Sequence, residues 1–297
     1  MSTYSIVICT YKRASYLRDT LRAVFPLIKG RPGYEVVVID NNSPDNTKEV
    51  VQEFIPEPNF RYYLEMNPGV SHARNRGIKE SRNEILIFLD DDVDLEPDFF
   101  IKCEELYKDA SVEIAGGKLL PYKVKIPDWL PTQYMYLISV FDLGDKPMYT
   151  SVLMGANYSM RSYVAQKVGW YNPELGRKSG SLMGGEENDY LFRAQDLGYR
   201  LLYAPQLVVY HKIENKLNKE YIYDFSRKNG LSEGLMDAKK DNKHFLSKSF
   251  KSMLILIVYY VYGFYAPGPK RQTYFKIKQL YSLGYLNAFF KANKLTT

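Results

Sequence analysis

Ile85-Leu86-Ile87-Phe88-Leu89-Asp90-Asp91-Asp92 decides how this chain is read. Five apolar residues in a row make a strand buried on both faces, the kind found inside a parallel sheet. Three carboxylates follow with no spacer. Adjacent carboxylates repel, so a purely structural use of all three is unfavourable without a compensating cation. If the backbone stays extended through the triplet, Asp90 and Asp92 point one way and Asp91 the other. Carboxylate oxygens so placed suit Mg2+ or Mn2+, completed by substrate phosphate and water. The bland alternative is a solvated acidic loop.

Outward from that segment, strands and helices alternate. Ser5–Cys9 reads as a buried strand, and Leu17, Leu21, Val24 and Ile28 repeat at helical spacing. Val36–Ile39 is a second strand, and Asp45-Asn46-Thr47 offers capping side chains to a helix through Phe54. Arg61–Leu64 is expected as a third strand, Asn67-Pro68-Gly69 as a turn, and a helix follows to about Ser81. Beyond the triplet, Pro97 sits where a helix to about Tyr107 would open, and Val112–Ala115 closes the series. The pattern predicts an α/β fold with a Rossmann-like, mostly parallel sheet flanked by helices. Residues 117–150, with Pro121, Pro127, Pro131 and Pro147, read as an irregular excursion. Met154–Ser159 is then a strand, Glu187–Leu197 a helix, and Leu201–Tyr203 and Leu207–Tyr210 two short strands. From about Lys216 the pattern is mostly helical.

Ligands of open parallel sheets bind beyond the carboxyl ends of the strands, where strand order reverses. Thr10-Tyr11-Lys12-Arg13, Asp40-Asn41-Asn42-Ser43 and Asp90-Asp91-Asp92 all fall at such ends. Asp40 suits acceptance of a base or ribose hydrogen, and equally well a cap on the turn that follows. Arg74 and Arg76 lie about 200° apart on a helix, so one faces the site. Arg74 is the choice, because Ala73 and Gly77 permit close approach; Arg76 reads as solvated and His72 as a surface or packed histidine. Gly184-Gly185 precede Glu186-Glu187-Asn188-Asp189, a tight turn that loads acids onto a first helical turn. The bland reading is that these are ordinary N-terminal helix acids; two glycines before three acids is the less common pattern. His211, after Leu207-Val208-Val209-Tyr210, is a packed histidine or a metal ligand.

Composition narrows the class. Of 297 residues, 45% are hydrophobic and 25% charged, which excludes a wholly disordered, collagenous or multi-span membrane chain. Cys9 and Cys103 make no disulfide framework and lack metal-site spacing, so a reducing, cytoplasmic setting is expected. Ser5–Cys9 is too short for the core of a secretory signal. The net charge is +6, unevenly spread: residues 212–297 hold 16 Lys+Arg against 6 Asp+Glu, and residues 1–211 hold 24 against 28. No nucleic-acid partner is expected of the acidic portion. The longest apolar run, Met253 to Ala266, covers 14 residues, whereas a membrane-crossing helix needs roughly 20. Basic and aromatic residues mix through 248–291, which suits peripheral membrane contact at the inner face of the cell membrane, a helical cap or an oligomer contact.

Taken in order, these motifs resemble the family 2 inverting glycosyltransferases of the GT-A fold. The matching segments are Ile8–Arg13, Val38–Asp45, Asn67-Pro68-Gly69 with Ala73-Arg74-Asn75, Phe88–Asp92, Gly155-Ala156-Asn157 and Gly185–Asp189. The likeness covers about residues 3–211, so 1–211 is expected as the catalytic domain and 212–297 as a helical extension. It implies transfer of a sugar from a UDP-sugar to a hydroxyl of a saccharide or lipid-linked saccharide acceptor, in cell-surface polysaccharide or glycan synthesis. It also implies a donor site of Thr10, Tyr11, Arg13, Asp40, Asn42, Arg74, Asp90, Asp91, Ala156 and Asn157. Mn2+ or Mg2+ is implied on Asp92, with His211 as a further ligand. The family's base is commonly an Asp following a Glu; Glu187 stands there, with Glu186 and Asp189 as alternatives. Two other functions are a sugar-nucleotide nucleotidyltransferase, disfavoured because Thr10–Arg13 has no glycine for a phosphate loop, and a non-catalytic binding module, disfavoured by the acids at 90–92 and 186–189.

Overall fold

A computed structural model describes residues 2–176, 185–240 and 242–294. In chain order the elements are β1 (Tyr4–Thr10), α1 (Ala14–Ile28), β2 (Tyr34–Asp40), α2 (Thr47–Gln52), β3 (Phe60–Leu64), α3 (Val70–Glu80), β4 (Ile85–Asp90), β5 (Val93–Leu95), α4 (Phe99–Tyr107), β6 (Ile114–Pro121), β7 (Met148–Thr150), β8 (Asn157–Arg161), α5 (Ser162–Val168), α6 (Glu186–Asp196), β9 (Leu201–His211), α7 (Lys219–Lys240), α8 (Asn242–Tyr265) and α9 (Pro269–Lys294). They fall into two compact units: residues 2–123, 140–176 and 186–212 in one, and 124–139, 185 and 213–294 in the other.

In the first unit, the described strands form one sheet in the order β3-β2-β1-β4-β8-β6-β9-β5, with β7 on β9. Strands β3, β2, β1 and β4 are mutually parallel. The chain steps from β1 out to β3, then returns across β1 to lay β4 on its other side. Strand order reverses between β1 and β4, which opens a crevice at their carboxyl ends. The register sets Thr10 opposite Asp40 and Cys9 opposite Asp90, so the three polar strand ends share one edge. Strand β8 runs antiparallel to β4 and pairs Asn157 with Leu89, so the chain enters β8 beside Asp90. Leu17, Leu21, Val24 and Ile28 of α1 are all buried, as their spacing predicts. Helix α3 packs so closely on the sheet that a Cβ on Gly77 would strike Val7. Its glycine serves helix–sheet packing rather than ligand approach.

Several expectations shift. The two short strands near 201 and 207 are one, β9. Its register against β6 jumps from Gly116–Tyr203 to Lys118–Val208, so residues 204–207 bulge and carry Pro205 without ending the strand. Residues 117–150 hold the end of β6, a 3-10 turn at Thr132–Ile138 and β7. The acid triplet is not extended: β4 ends at Asp90, and β5 starts at Val93 after a turn. Strand β5 and helix α5 are too short for a periodic signal.

The second unit is helical. Its helices α7 and α9 meet at backbone distance: a Cβ on Gly230 would fall on the Tyr281 carbonyl, and one on Gly284 on that of Arg227. Lys248 of α8 binds Glu233 and, at 3.2 Å, Asp237 of α7. The Tyr281 hydroxyl donates to Glu233, and that of Tyr285 to Asp237 at 2.7 Å. Among the described residues, no helix is long and apolar enough to cross a membrane.

Candidate active site

The end of β1 and the start of α1 hold the acid triplet in place. Thr10 donates its Oγ1 hydrogen to Asp91 Oδ2 at 2.6 Å. Arg13 sets Nη1 3.0 Å from Asp91 Oδ1 and 2.6 Å from Asp92 Oδ2. On the inner face of α1, buried Thr20 accepts the Val93 N–H at 3.0 Å and lies 2.9 Å from the Asp91 carbonyl oxygen. Asp91 thus faces into the protein. Burial pushes its carboxyl up to about 7, with Arg13 pulling it down and Asp92 pushing it further up.

Asp90 and Asp92 turn the other way, toward the end of β9. His211 Nε2 is 2.7 Å from Asp92 Oδ1 and 4.0 Å from Asp90 Oδ2. Val93 pairs with His211 across β5 and β9, and the Lys212 N–H reaches the Asp92 carbonyl at 2.9 Å. One ligand atom from each of Asp90, Asp92 and His211 lies within 4.8 Å of the other two. Two hard oxygens and an imidazole, in a cluster with more carboxylates than cations, fit a divalent ion such as Mn2+ or Mg2+. A reverse turn brings Asp90 and Asp92 together, and Asp90 joins the two expected ligands.

The β2 end is a braced turn. Asp40 is buried; its Oδ1 accepts the Ser43 N–H at 2.8 Å and its Oδ2 the Tyr62 hydroxyl at 2.8 Å. Both roles considered for Asp40 begin from this anchored position. Neighbouring Asn41 donates to the carbonyls of Glu65 and Asn67 at 3.1 and 2.6 Å and accepts the Gly69 N–H at 2.7 Å. It ties the turn before α3 to the strand end. Asn42 is exposed with φ of 57°, and Tyr11 is also exposed.

Arg74 joins α3 to the acids of α6. It is buried, with Nη1 2.9 Å from Glu186 Oε1 and Nη2 2.5 Å from Glu187 Oε1, and its guanidinium lies over the Tyr171 ring. Burial alone would pull Arg74 down; Glu187 and then Glu186 reverse this and hold it charged, with Asp90 adding to their effect. The second Glu187 oxygen accepts the Gly155 N–H at 3.0 Å. A Cβ on Gly155 would strike the Glu187 carboxylate and Arg74, so a larger residue there would push both side-chain ends aside. Asp189 pairs instead with Arg193 at 3.0 Å on the helix surface. Arg76 is tied to Glu80 at 2.8 Å, away from this cluster. Ala156 is buried in the core, and Asn157 donates to the carbonyls of Lys118 and Leu207 at 2.8 and 2.9 Å. Gly184 lies outside the described residues.

The profile of glycosyl transferase family 2 matches residues 5–168, more than half of the chain. The chain belongs to that family. This glycosyl transferase is 24% identical, over 78% of its length and 77% of the relative's, to a glucosyl-dolichyl phosphate glucuronosyltransferase of Haloferax volcanii. It is 27% identical to the glycosyltransferase AglE of the same organism over 70% of its length, and spans 66% of that protein. All of it, and 76% of the other chain, superposes with a TM-score of 0.60 and 17% identity on a mannosyltransferase of Pyrobaculum calidifontis solved with GDP-mannose and Mn2+. The sheet and its flanking helices are those of the GT-A fold.

Thr20, Asn41 and Asn75 were not singled out by the sequence. Asn75 brackets Tyr171, donating to its carbonyl at 2.9 Å and accepting its N–H at 2.7 Å. Thr20 had a readable signal, as a polar residue on the apolar stripe of α1. Asn41 and Asn75 had none beyond adjacency to named residues.

Proposed function

We propose that this enzyme transfers a sugar from a UDP-sugar to a hydroxyl of a saccharide or lipid-linked saccharide, with inversion at the anomeric carbon. The observation that carries this reading is the bond from Gly155 N–H to Glu187, made where the chain enters β8 beside Asp90. It supports a single crevice holding both the acid–imidazole cluster and a carboxylate base. Asp90, Asp92 and His211 would hold Mn2+ or Mg2+, which when bound neutralises the departing diphosphate. Thr10, Tyr11, Arg13, Asp40 and Asn42 line the nucleotide side, with Asp91 bracing Thr10 and Arg13. Ala156 and Asn157 support the sugar side from beneath, Asn157 by bracing the carbonyls of Lys118 and Leu207.

Glu187 is the general base. As the acceptor oxygen bonds to C1, its proton passes to the Glu187 carboxylate. The bond from C1 to the phosphate oxygen breaks, and its electron pair leaves with UDP. Attack opposite the diphosphate inverts the centre, so an α-linked donor yields a β-linked product. Arg74 positions the base; Glu186 is less favoured because its side chain is buried while that of Glu187 is partly exposed, and Asp189 because it pairs with Arg193 and not with Arg74 and Gly155. Cys9 and Cys103 are free thiols, which supports a reducing setting and hence the cytoplasm, at the inner face of the membrane.

A donor screen by nucleotide release, with UDP- and GDP-sugars and with and without Mn2+, tests the reading. Metal-dependent release of UDP is expected. Release that ignores metal, or follows only GDP-sugars, defeats it.

A further inference from the structure

Helix α8 is apolar on two faces: Phe245, at 3% exposure, packs inward on Tyr285 and Phe289, and a second apolar stripe faces out. Its buried positions include Ser249 and Ser252, at 6% and 3% exposure, whereas Phe250 (58%), Ile257 (61%), Tyr262 (62%) and Tyr265 (83%) face solvent together with Met253 and Leu254. At about 100° per residue, the outward set covers about half of the helix circumference, and the two serines lie on the other half. A helix that did no more than dock on a protein core would keep its outer half polar. The charge pattern is equally one-sided. Asp241 is the last acid of the sequence; residues 242–297 hold nine Lys+Arg and no Asp or Glu. Lys251, early in α8, and Lys270 and Arg271, at the start of α9, are exposed.

We propose that the outward face of α8 lies in the headgroup–acyl boundary of an anionic lipid bilayer, with Lys251, Lys270 and Arg271 on the headgroups. The apolar stripe gains by leaving water, and the cations gain from anions that this part of the chain does not supply. A second copy docked through the same face would set cation against cation with no acid to pair. A nucleic acid would meet the cations but leave the stripe in water. The tyrosines at the end of the stripe suit headgroup depth. The helix lies in the plane of the surface, since none of the described helices is long and apolar enough to cross.

The test is co-sedimentation of the full chain with vesicles of phosphatidylcholine alone or mixed equally with phosphatidylglycerol, at low and high salt. It needs no donor, so its outcome is separable from that of the transferase reading. The chain should pellet with the mixed vesicles, less so at high salt, and remain in solution with phosphatidylcholine. Ile257→Glu with Tyr262→Glu should weaken binding at least about tenfold, because a charge does not enter the acyl boundary. Reversal of Lys251, Lys270 and Arg271 to Glu, which disturbs no buried contact, should weaken it by at least about fivefold per cation. Circular dichroism and UDP release from free donor should stay unchanged in both variants. A chain that stays in the supernatant, or pellets equally well in both variants, overturns the proposal. So does a vesicle-free dimer that the Ile257→Glu/Tyr262→Glu variant abolishes, which would make a second copy the occupant.

Discussion

Two clusters of this chain are alike in composition and differ in what they leave over. In the helical unit, Glu233 and Asp237 share Lys248 and the hydroxyls of Tyr281 and Tyr285. Two carboxylates against one ammonium leave a single negative charge, to which two hydroxyls donate. At the sheet edge, Asp90, Asp91 and Asp92 gather around Arg13, Thr10 and His211. Three carboxylates against one permanent cation leave excess negative charge at an edge that Asp90 partly exposes. Neutral donors satisfy hydrogen bonds, but a cation is required to neutralise charge. The first cluster holds helices together; the second is disposed to receive an ion. The pairing of Arg74 with Glu186 and Glu187 lies between them, closed at buried Glu186 and partly exposed at Glu187, the proposed base.

That contrast is open to attack by substitution. The largest effect belongs to the sheet edge and its base: Asp92→Asn and Glu187→Gln should each lower UDP release by at least about 100- to 10,000-fold. Asp92→Asn, like chelation with EDTA, should also abolish metal-dependent donor binding in a calorimeter, whereas Glu187→Gln should leave it intact. Asp237→Asn in the helical cluster should leave release unchanged; equal loss in both clusters would erase the distinction. Next comes Arg74→Met, which takes the guanidinium away from buried Glu186 and should cost roughly 3–5 kcal/mol in urea unfolding. Adding Glu186→Gln should recover part of that loss. Lys248→Met removes the ammonium from acids that are partly solvated, so only about 1 kcal/mol should be lost. The smallest effect is Asp189→Asn, in a partly exposed pair on one helix face, with a stability change of about 0.5 kcal/mol and normal UDP release. Loss of release there would move the base from Glu187 to Asp189.

The buried run Ile85–Leu89 and its acids could be read without coordinates, because a strand's apolar core and its charged end leave a strong local pattern. The same holds for the alternation that places Thr10, Asp40 and Asp90 on one edge, since parallel pairing follows from strand–helix–strand connections. The Pro205 bulge was not readable, because proline marks a break in pairing but not whether the strand resumes. That Asp91 would point away from Asp90 and Asp92 was expected; that a turn rather than extended backbone does this, with Thr10 and Arg13 holding Asp91 from about 80 residues earlier, was not readable.

By itself the sequence determined the alternating architecture, the carboxylate supply at 90–92 and 186–189, and a cationic, aromatic end without acids. Which carboxylates work together was decided in three dimensions. Asp90 meets Asp92 through a turn, Glu187 is fixed by Arg74 and by the amide of Gly155, and Asp189 is paired with Arg193. The physical reason is that charge and hydrogen-bond capacity are properties of each residue, while the distances that turn them into a site are set by packing between segments far apart in the chain.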